Sequence, residues 1–265
     1  MQVAIIGFGR FGRLLAGLLR QYHGSATRLL VTSRGDYAAL AEERGLVWAS
    51  LAEAAGADVV MLCVPIRALA GVIEQLRGLL RPGALVMDTC SVKAYPAELM
   101  AAGLPPEVEI LATHPMFGPD GVQQFGIAGQ RLVSCPIRVA PARLALVEGW
   151  FQAMGVAVLR MTPAEHDRQA AISQGLVHFI GRAIERAGLS EPAVTTNNAH
   201  RLFELARSIA GDSPELFADL ETHNPFAAAA RRAFLKAAQL LDAELARGTG
   251  RESIPQRTPR TGRNH

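Results

Sequence analysis

The segment Thr113–Asp120, with the sequence THPMFGPD, places a histidine where acid–base chemistry is expected. The apolar run Ile110–Ala112 precedes it, so we expect His114 at the carboxyl end of a strand. Open α/β sheets bind their ligands outside that edge. Histidine titrates near neutral pH, which suits it to proton transfer. The position therefore predicts that His114 lies beside a ligand cleft and can act as a general base.

A glycine-rich segment near the N-terminus predicts a dinucleotide site. It has the pattern GxGxxG and lies between a strand pattern at Val3–Ile6 and a helix pattern at Arg13–Gln21. In such a turn the first glycine allows the bend, the second admits a pyrophosphate, and the third lets helix and strand pack closely. The helix N-terminus then supplies N–H groups for the phosphates. A purely structural turn is the alternative. The residues assigned to the cofactor site are Gly7, Phe8, Gly9, Arg10, Phe11 and Gly12.

The end of the second predicted strand, Arg28–Thr32, bears on which dinucleotide binds. An NAD site places an acid here for the ribose hydroxyls, whereas this chain has Ser33 and Arg34. A guanidinium can hold a 2′-phosphate with two charge-assisted hydrogen bonds. We therefore assign both residues to the cofactor site and predict NADP. NAD is the alternative, with Arg34 as a surface charge and Asp36 on the ribose.

A central strand is predicted at Asp58–Val64, where a proline ends the apolar run. Its carboxyl end belongs to the same edge of the sheet, so Cys63 and Pro65 are assigned to the cofactor site. For Cys63 the alternative is a small buried apolar residue, the commonest role of a free cysteine.

The next strand, Ala84–Asp88, leads to Ser91 and Lys93 at the same edge. We predict a catalytic or binding role for Ser91; the alternative is an N-cap for a helix near Pro96–Ala102. Lys93 is assigned to the cofactor phosphates, with a solvated surface charge as the alternative.

The succession of patterns predicts a Rossmann-type, doubly wound, mainly parallel sheet followed by an all-α C-terminal dimerisation domain. Strand and helix patterns alternate up to about residue 160, and a Thr–Pro helix start at Thr162 opens the helical half. We expect a nucleotide-binding domain at 1–160 and a helical substrate and dimerisation domain at 161–247. Apolar stripes such as Leu202 to Ile209 lack partners within that half, which predicts a homodimer.

Composition excludes several classes of protein. With 265 residues, 49% hydrophobic and 19% charged, the chain is predicted to be globular. The net charge of the chain is +3, and the basic tail 248–265 alone accounts for all of it. This tail is predicted to be disordered. The remaining body is neutral, so no nucleic-acid partner is expected. No apolar run reaches the ~18 residues of a membrane span.

The three cysteines, Cys63, Cys90 and Cys135, are far apart and lack the spacing of metal ligands. No metal site is predicted, and reduced thiols indicate a cytoplasmic protein.

Several segments together resemble the prephenate/arogenate dehydrogenases of tyrosine biosynthesis. The specific part is SVK at Ser91–Lys93 followed by HPMFGP, and the similarity extends over roughly residues 1–245. We expect no chorismate mutase domain. The matching segments are Gly7–Gly12, Asp88–Lys93, His114–Asp120, Glu165–Asp167, Gln174–Phe179 and Arg201–Asp219.

This resemblance implies an oxidative decarboxylation: hydride leaves C4 of a cyclohexadienol, the 4-hydroxyl loses its proton, and CO2 is lost as the ring becomes aromatic. His114 matches the family's base, and Ser91 would orient His114 or the substrate. Arg207 matches the substrate-carboxylate position. Three more residues match active-site positions, namely Arg201, His178 and Gln174. Without the resemblance, the arginines would be surface charges and His178 a satisfied helix histidine.

His166 also matches a family position, although the acids beside it, Glu165 and Asp167, could simply favour a helix start. A dehydrogenase for another acid and a non-catalytic NADP sensor are the competing functions.

The resemblance also bears on the choice of substrate. Plant enzymes that prefer arogenate look to have an acid on the strand after HPMFGP, where this chain has Cys135. A neutral thiol cannot offset a desolvated ammonium. We therefore predict that prephenate is preferred and is converted to 4-hydroxyphenylpyruvate. An arogenate dehydrogenase, or an enzyme that accepts both acids, is the alternative, with Asp120 as another source of a carboxylate.

Overall fold

The computed structural model describes residues 1–24 and 27–248. An eight-stranded sheet forms its N-terminal half, in the order β3-β2-β1-β4-β5-β6-β7-β8. Neighbouring strands are parallel except for the antiparallel pair β6–β7. The strands are β1 (Gln2–Ile6), β2 (Arg28–Thr32), β3 (Val47–Trp48), β4 (Val59–Leu62), β5 (Leu85–Asp88), β6 (Glu109–Pro115), β7 (Arg131–Arg138) and β8 (Ala157–Arg160).

Helices cover both faces of this sheet. Every residue of β4 and β5 is buried, as expected for parallel strands covered on both sides. The apolar core therefore forms two layers: one packs against α1 and α7, the other against α3, α4 and α5. The helices are α1 (Arg10–His23), α2 (Ala38–Glu43), α3 (Leu51–Ala55), α4 (Ile66–Leu76), α5 (Ala94–Gly103), α6 (Pro119–Phe125) and α7 (Pro141–Ala153). The predicted doubly wound α/β fold is confirmed.

The strand order reverses between β1 and β4, which are hydrogen-bonded neighbours in the centre of the sheet. Crevices at such a switch point, outside the carboxyl ends of the strands, are where open α/β sheets bind ligands. Gly7 directly follows β1, Cys63 follows β4, and His114 lies near the end of β6. The fold thus brings three of the predicted site segments to one edge.

The chain becomes helical after β8. The helix start predicted at Thr162 is followed by α8 (Pro163–Ala170), a π-helical segment (Ala171–Leu176) and α9 (Val177–Arg186). Such π segments occur often at functional sites. Three more helices follow: α10 (Asn197–Ala210), α11 (Pro214–His223) and α12 (Ala227–Gly248).

The apolar stripe of α10 is only partly covered within the chain. Ala206 and Ile209 are buried, and Ile209 packs closely against Gly181 of α9. Leu202 and Leu205 are exposed, at 43% and 40%. Along α12 the large apolar side chains that are also exposed are Phe234, Leu235, Leu240, Leu241 and Leu245.

Within the described residues, no helix combines the length and apolarity that crossing a membrane requires. The prediction of a disordered tail falls almost entirely on residues 249–265, which lie outside the described residues.

Candidate active site

Two cavities that share part of their lining open at the carboxyl edge of the sheet. The first has a volume of about 530 Å³ and is lined by Gly7, Gly9, Ser33 and Arg34, with residues from α4 opposite. The second, of about 700 Å³, is lined by Ser91, His114, Gln174 and His178, among others. Gly9, Cys63, Val64 and Pro65 line both. One continuous cleft therefore connects the glycine-rich turn with His114.

The glycine-rich turn has the geometry that a phosphate group needs. Gly7 has a φ of +104°, and a Cβ there would lie 2.2 Å from the carbonyl oxygen of Cys63. At Gly9, by contrast, a Cβ would meet no heavy atom within 4 Å, so open space adjoins the backbone. Helix α1 begins at Arg10, so its free N–H groups face this space. The turn fits a dinucleotide pyrophosphate, as the pattern predicted.

The glycine-rich turn also contains two phenylalanines, Phe8 and Phe11, whose side chains differ in their surroundings. Phe8 is fully buried, and its ring packs edge-on against Tyr37 at 6.1 Å, so only its backbone remains available to a cofactor. Phe11 lines the second cavity and approaches Phe117, with ring centres 6.2 Å apart.

Ser33 and Arg34 line the first cavity, as predicted, and Arg34 is exposed. The described lining of this cavity contains no acidic side chain. Asp36 instead accepts a hydrogen bond from the N–H of Ala38 at the start of α2. Asp36 does not line this cavity in the described structure, and the role in ribose binding that the NAD alternative gives it stays a prediction.

Cys63 borders both cavities, but its thiol is not reactive. Burial raises the pKa of this thiol to about 12, so it stays protonated at neutral pH. Its contribution is the carbonyl oxygen against Gly7, which only a glycine can approach so closely. Pro65 lines both cavities beside it.

His114 lies at the wall of the second cavity and is only 3% exposed. Its Nδ1 is 2.8 Å from Nε2 of His166, whose Nδ1 is 2.7 Å from the Asp167 carboxylate. Burial is the largest cause that holds the pKa of His114 well below its usual range, and positive charge on the neighbouring side chains of Lys93 or His166 would lower it further. The imidazole is therefore neutral at physiological pH, which is the state that a general base requires.

Ser91 lines the same cavity as His114, as the strand-end reasoning predicted. Its alternative role as a helix N-cap is wrong. Helix α5 begins at Ala94, and Lys93 occupies the N-cap position without a side-chain cap. The N–H groups of Lys93 and Ala94 donate to the Asp167 carboxylate, which leaves Ser91 free to face the cavity.

Lys93 does not line the cleft, so its assignment to the cofactor phosphates is wrong. Its side chain is fully buried and lines neither cavity. The ammonium forms an ion pair with Asp88, which is also fully buried, and donates to the carbonyl of Thr113 at 2.5 Å. A buried carboxylate needs a cationic partner, so Lys93 is held inside rather than at the phosphates. The alternative of a solvated charge is also wrong.

The helical half contributes Gln174, from the π-helical segment, and His178, from α9, to the second cavity. The buried Oε1 of Gln174 and Nδ1 of His178 have no hydrogen-bond partner among the described residues. Unpaired buried polar atoms are costly, so atoms of this kind beside a cavity indicate a ligand that pairs with them. His178 is therefore not a satisfied helix histidine.

Arg201 and Arg207 are not brought to the cleft. Both are exposed on α10 and line neither cavity. Arg207 pairs with Glu191 at 3.0 Å instead. Their predicted contact with a substrate carboxylate is thus not made within one chain, because α10 turns these positions away from the cavity.

Sequence reasoning missed most of the charged lining of the second cavity. Arg67 lies two residues after Pro65, so the argument from strand ends could also have placed it at this edge of the sheet. The acids of the α11 region gave no such signal, because their position depends on how the helices pack. The charged residues of this lining are Arg10, Arg67, Asp120, Asp212, Glu215 and Asp219.

Cys135 is not at the cleft, so the reason given for a prephenate preference is wrong. It is fully buried, pairs with Ala112 across β6–β7, and lines neither cavity. The residue of β7 that pairs with His114 is Val133, which lies two residues before Cys135.

We expect Cys135→Asp to destabilise the fold rather than shift the substrate preference. An uncompensated buried charge costs on the order of 3–5 kcal/mol. Urea unfolding should show a lowered midpoint, with Cys135→Ser as the milder control. A variant of wild-type stability that turns over arogenate faster would contradict this placement.

Comparison with known proteins agrees with the fold. The family model for the nucleotide-binding domain of prephenate dehydrogenase matches residues 15–159, and that for its dimerization domain matches residues 162–254. A solved structure of prephenate dehydrogenase from A. aeolicus, in complex with hydroxyphenyl propionate and NAD+, has a TM-score of 0.78 at 24% identity. It covers 95% of this chain and 93% of its own.

Among curated relatives, two chloroplastic arogenate dehydrogenases of Arabidopsis thaliana are each 33% identical over 236 residues. The alignments cover 84% and 85% of this chain but only 36% and 64% of those proteins. The chain thus spans about a third and just under two thirds of their lengths. Together with the two family models, which account for most of the sequence, these matches show that the chain belongs to the prephenate dehydrogenase family.

Proposed function

We propose that this chain catalyses the NADP-dependent oxidative decarboxylation of prephenate to 4-hydroxyphenylpyruvate in tyrosine biosynthesis, and accepts arogenate as a second substrate. The observation that carries the proposal is the position of His114. A buried, neutral imidazole lines the same continuous cleft as a glycine-rich dinucleotide turn. A base in the same cleft as the cofactor turn suits removal of a proton from a hydroxyl oxygen while the carbon that bears it loses a hydride.

The nicotinamide, when bound, supplies the hydride acceptor. His114 takes the proton of the substrate's 4-hydroxyl as the C4–H bond breaks. The electrons of the C1–carboxylate bond then enter the ring, CO2 leaves, and the ring becomes aromatic. Ser91, on the same cavity wall, orients the hydroxyl or the imidazole.

Gln174 and His178 orient the substrate from the helical side. Both residues line the second cavity, and Nδ1 of His178 and Oε1 of Gln174 are buried without a hydrogen-bond partner among the described residues. Arg67 and Arg10 provide positive charge for the carboxylates, since both line this cavity. In the unliganded chain Arg10 pairs with the exposed Asp120 at 2.6 Å.

Arg34 supports NADP as the cofactor, since it lies with Ser33 at the end of β2 in a cavity whose described lining holds no acid. A guanidinium there suits a 2′-phosphate.

Acceptance of arogenate rests on Asp212 and Asp219 in the second cavity. The ammonium of arogenate requires a nearby carboxylate once it leaves water, and prephenate has no such group. Asp212 is 3.8 Å from Nε2 of His178 and 42% exposed, so it can turn toward a substrate. Burial raises the pKa of Asp219, which makes it the weaker counter-ion.

The test is a matrix of two substrates and two cofactors, followed by the absorbance of reduced nicotinamide. Turnover of both acids with NADP supports the proposal, and failure with both refutes it. A strong excess of NAD over NADP would overturn the cofactor assignment alone.

Asp212→Asn should lower kcat/KM for arogenate several-fold more than for prephenate, because it removes a charge that only the ammonium uses. Loss of a charge-assisted contact is worth about 1.5–3 kcal/mol. The matched control is Asp242→Asn, on the exposed part of α12. Equal effects on the two acids would exclude Asp212 as the counter-ion.

We also propose a homodimer that forms through the helical half. The exposed leucines of α10 and α12 and the match to a dimerization domain support it. The three cysteines are free thiols, which suits a reducing compartment such as the cytoplasm.

A further inference from the structure

We propose that His166 and Asp167 are positioning residues that fix the tautomer of His114 and receive the positive charge when His114 accepts a proton. This inference rests on the proposed function, since His114 acts as a base in that reaction.

The side chains of His114, His166 and Asp167 form a buried series of hydrogen bonds across the junction of the two domains. His114 belongs to β6, whereas His166 and Asp167 belong to α8. Their exposures are 3%, 2% and 0%, so water does not compete for their hydrogen bonds. The two distances, 2.8 Å and 2.7 Å, are those of good hydrogen bonds.

The direction of these bonds follows from Asp167. Its Oδ1 accepts from the N–H of Lys93 and its Oδ2 from the N–H of Ala94. With both oxygens acting as acceptors, Nδ1 of His166 carries the proton of the hydrogen bond to Oδ1. Nε2 of a neutral His166 is then an acceptor, and Nδ1 of His114 must donate to it. The remaining nitrogen of His114, Nε2, keeps its lone pair for the cavity.

The same series of hydrogen bonds gives the positive charge that forms on His114 a more favourable position. His114 is buried close to the charge of Lys93, so an imidazolium at that position is unfavourable. When Nε2 of His114 takes the substrate proton, its Nδ1 proton can pass to Nε2 of His166. His114 is then neutral again, and the charge rests on His166 beside the Asp167 carboxylate. No proton is gained or lost in this second transfer.

Other ionisable groups also lie near these three side chains. Lys93 forms a buried ion pair with Asp88. Burial raises the pKa of Cys135, on the adjacent strand, to about 12, and that of Cys90 well above its usual value. Glu165 caps the start of α8, and its hydrogen bonds to Thr162 lower its pKa. The proton transfer is therefore assigned to the two histidines, which the 2.8 Å hydrogen bond joins directly.

The first test is the ¹⁵N NMR spectrum of the wild-type protein without substrate. We expect His114 to show a protonated Nδ1 and an unprotonated Nε2 at neutral pH. The opposite tautomer would overturn the proposal, and this measurement requires no variant.

The second test is Asp167→Asn, which removes the negative charge beside His166 and nearly preserves the size of the side chain. An amide oxygen at the Oδ1 site still accepts from the N–H of Lys93 and from Nδ1 of His166, so the tautomer of His114 should be kept. The charge that His166 receives is then uncompensated, and kcat should fall ~10²–10⁴-fold, as for loss of a general base. The KM for the cofactor should stay near its wild-type value, and wild-type kcat would contradict the relay.

The matched control is Ser134→Ala. Ser134 lies on the neighbouring strand β7, and the substitution removes its buried hydrogen bond to Glu148 of α7. It should keep both the tautomer and kcat of the wild type. If Asp167→Asn does not fold, His166→Gln serves instead, and retention of wild-type kcat by that variant would contradict the proposal. If the wild type turns over neither acid, the proposed function fails; if it turns over substrate with the wrong tautomer, only the relay fails.

Discussion

His114→Asn is expected to lower kcat by ~10²–10⁴-fold, the usual contribution of general acid–base catalysis. The KM for NADP should remain near its wild-type value, because His114 lines the second cavity and not the one that contains Arg34. The matched control is His200→Asn, an exposed histidine on α10 that lines neither cavity. Wild-type turnover by His114→Asn would make His114 a structural residue.

The pH dependence of kcat gives the same prediction a second readout. Burial lowers the pKa of His114 below its ordinary value of 6.5, so the neutral base persists as the pH falls through that value. The acidic limb of the wild-type profile should therefore lie below pH 6.5, and it should disappear in His114→Asn. An acidic limb at or above that pH, or one that survives the substitution, would assign the limb to another group.

Arg34→Ala is expected to raise the KM for NADP by roughly 10- to 150-fold, with little effect on the KM for NAD. The lost charge-assisted contact with the 2′-phosphate is worth about 1.5–3 kcal/mol, and each 1.4 kcal/mol corresponds to about tenfold. Arg28→Ala is the matched control, because Arg28 starts the same strand at the opposite edge of the sheet. An equal effect of Arg34→Ala on both cofactors would refute NADP selection.

Strand-end reasoning predicted much of the site because the sheet is parallel through most of its width. Parallel strands deliver their carboxyl ends to one edge, so Gly7, Cys63, Ser91 and His114 could be placed together from sequence order alone. Gln174 and His178 came from the family resemblance, and the structure places both at the second cavity with unpaired polar atoms.

The failures concern the direction of side chains rather than the position of elements. Cys135 lies on the correct strand, but its register against β6 turns it into the core. Lys93 has the expected position in the chain, but the buried Asp88 draws its ammonium inward. Arg207 faces Glu191 and solvent, which depends on how α10 packs against α9. Such contacts are tertiary, and hydrophobic periodicity contains no information about them.

The central claim is tested most directly by the stoichiometry of the reaction. Purified protein is mixed with NADP and prephenate, or arogenate, and reduced cofactor, CO2 and aromatic product are measured together. We predict equal amounts of the three for each acid, formed by the wild type and the His200→Asn control and ~10²–10⁴-fold more slowly by His114→Asn. Reduction of the cofactor without release of CO2, or no reduction with either acid, would contradict the proposed function.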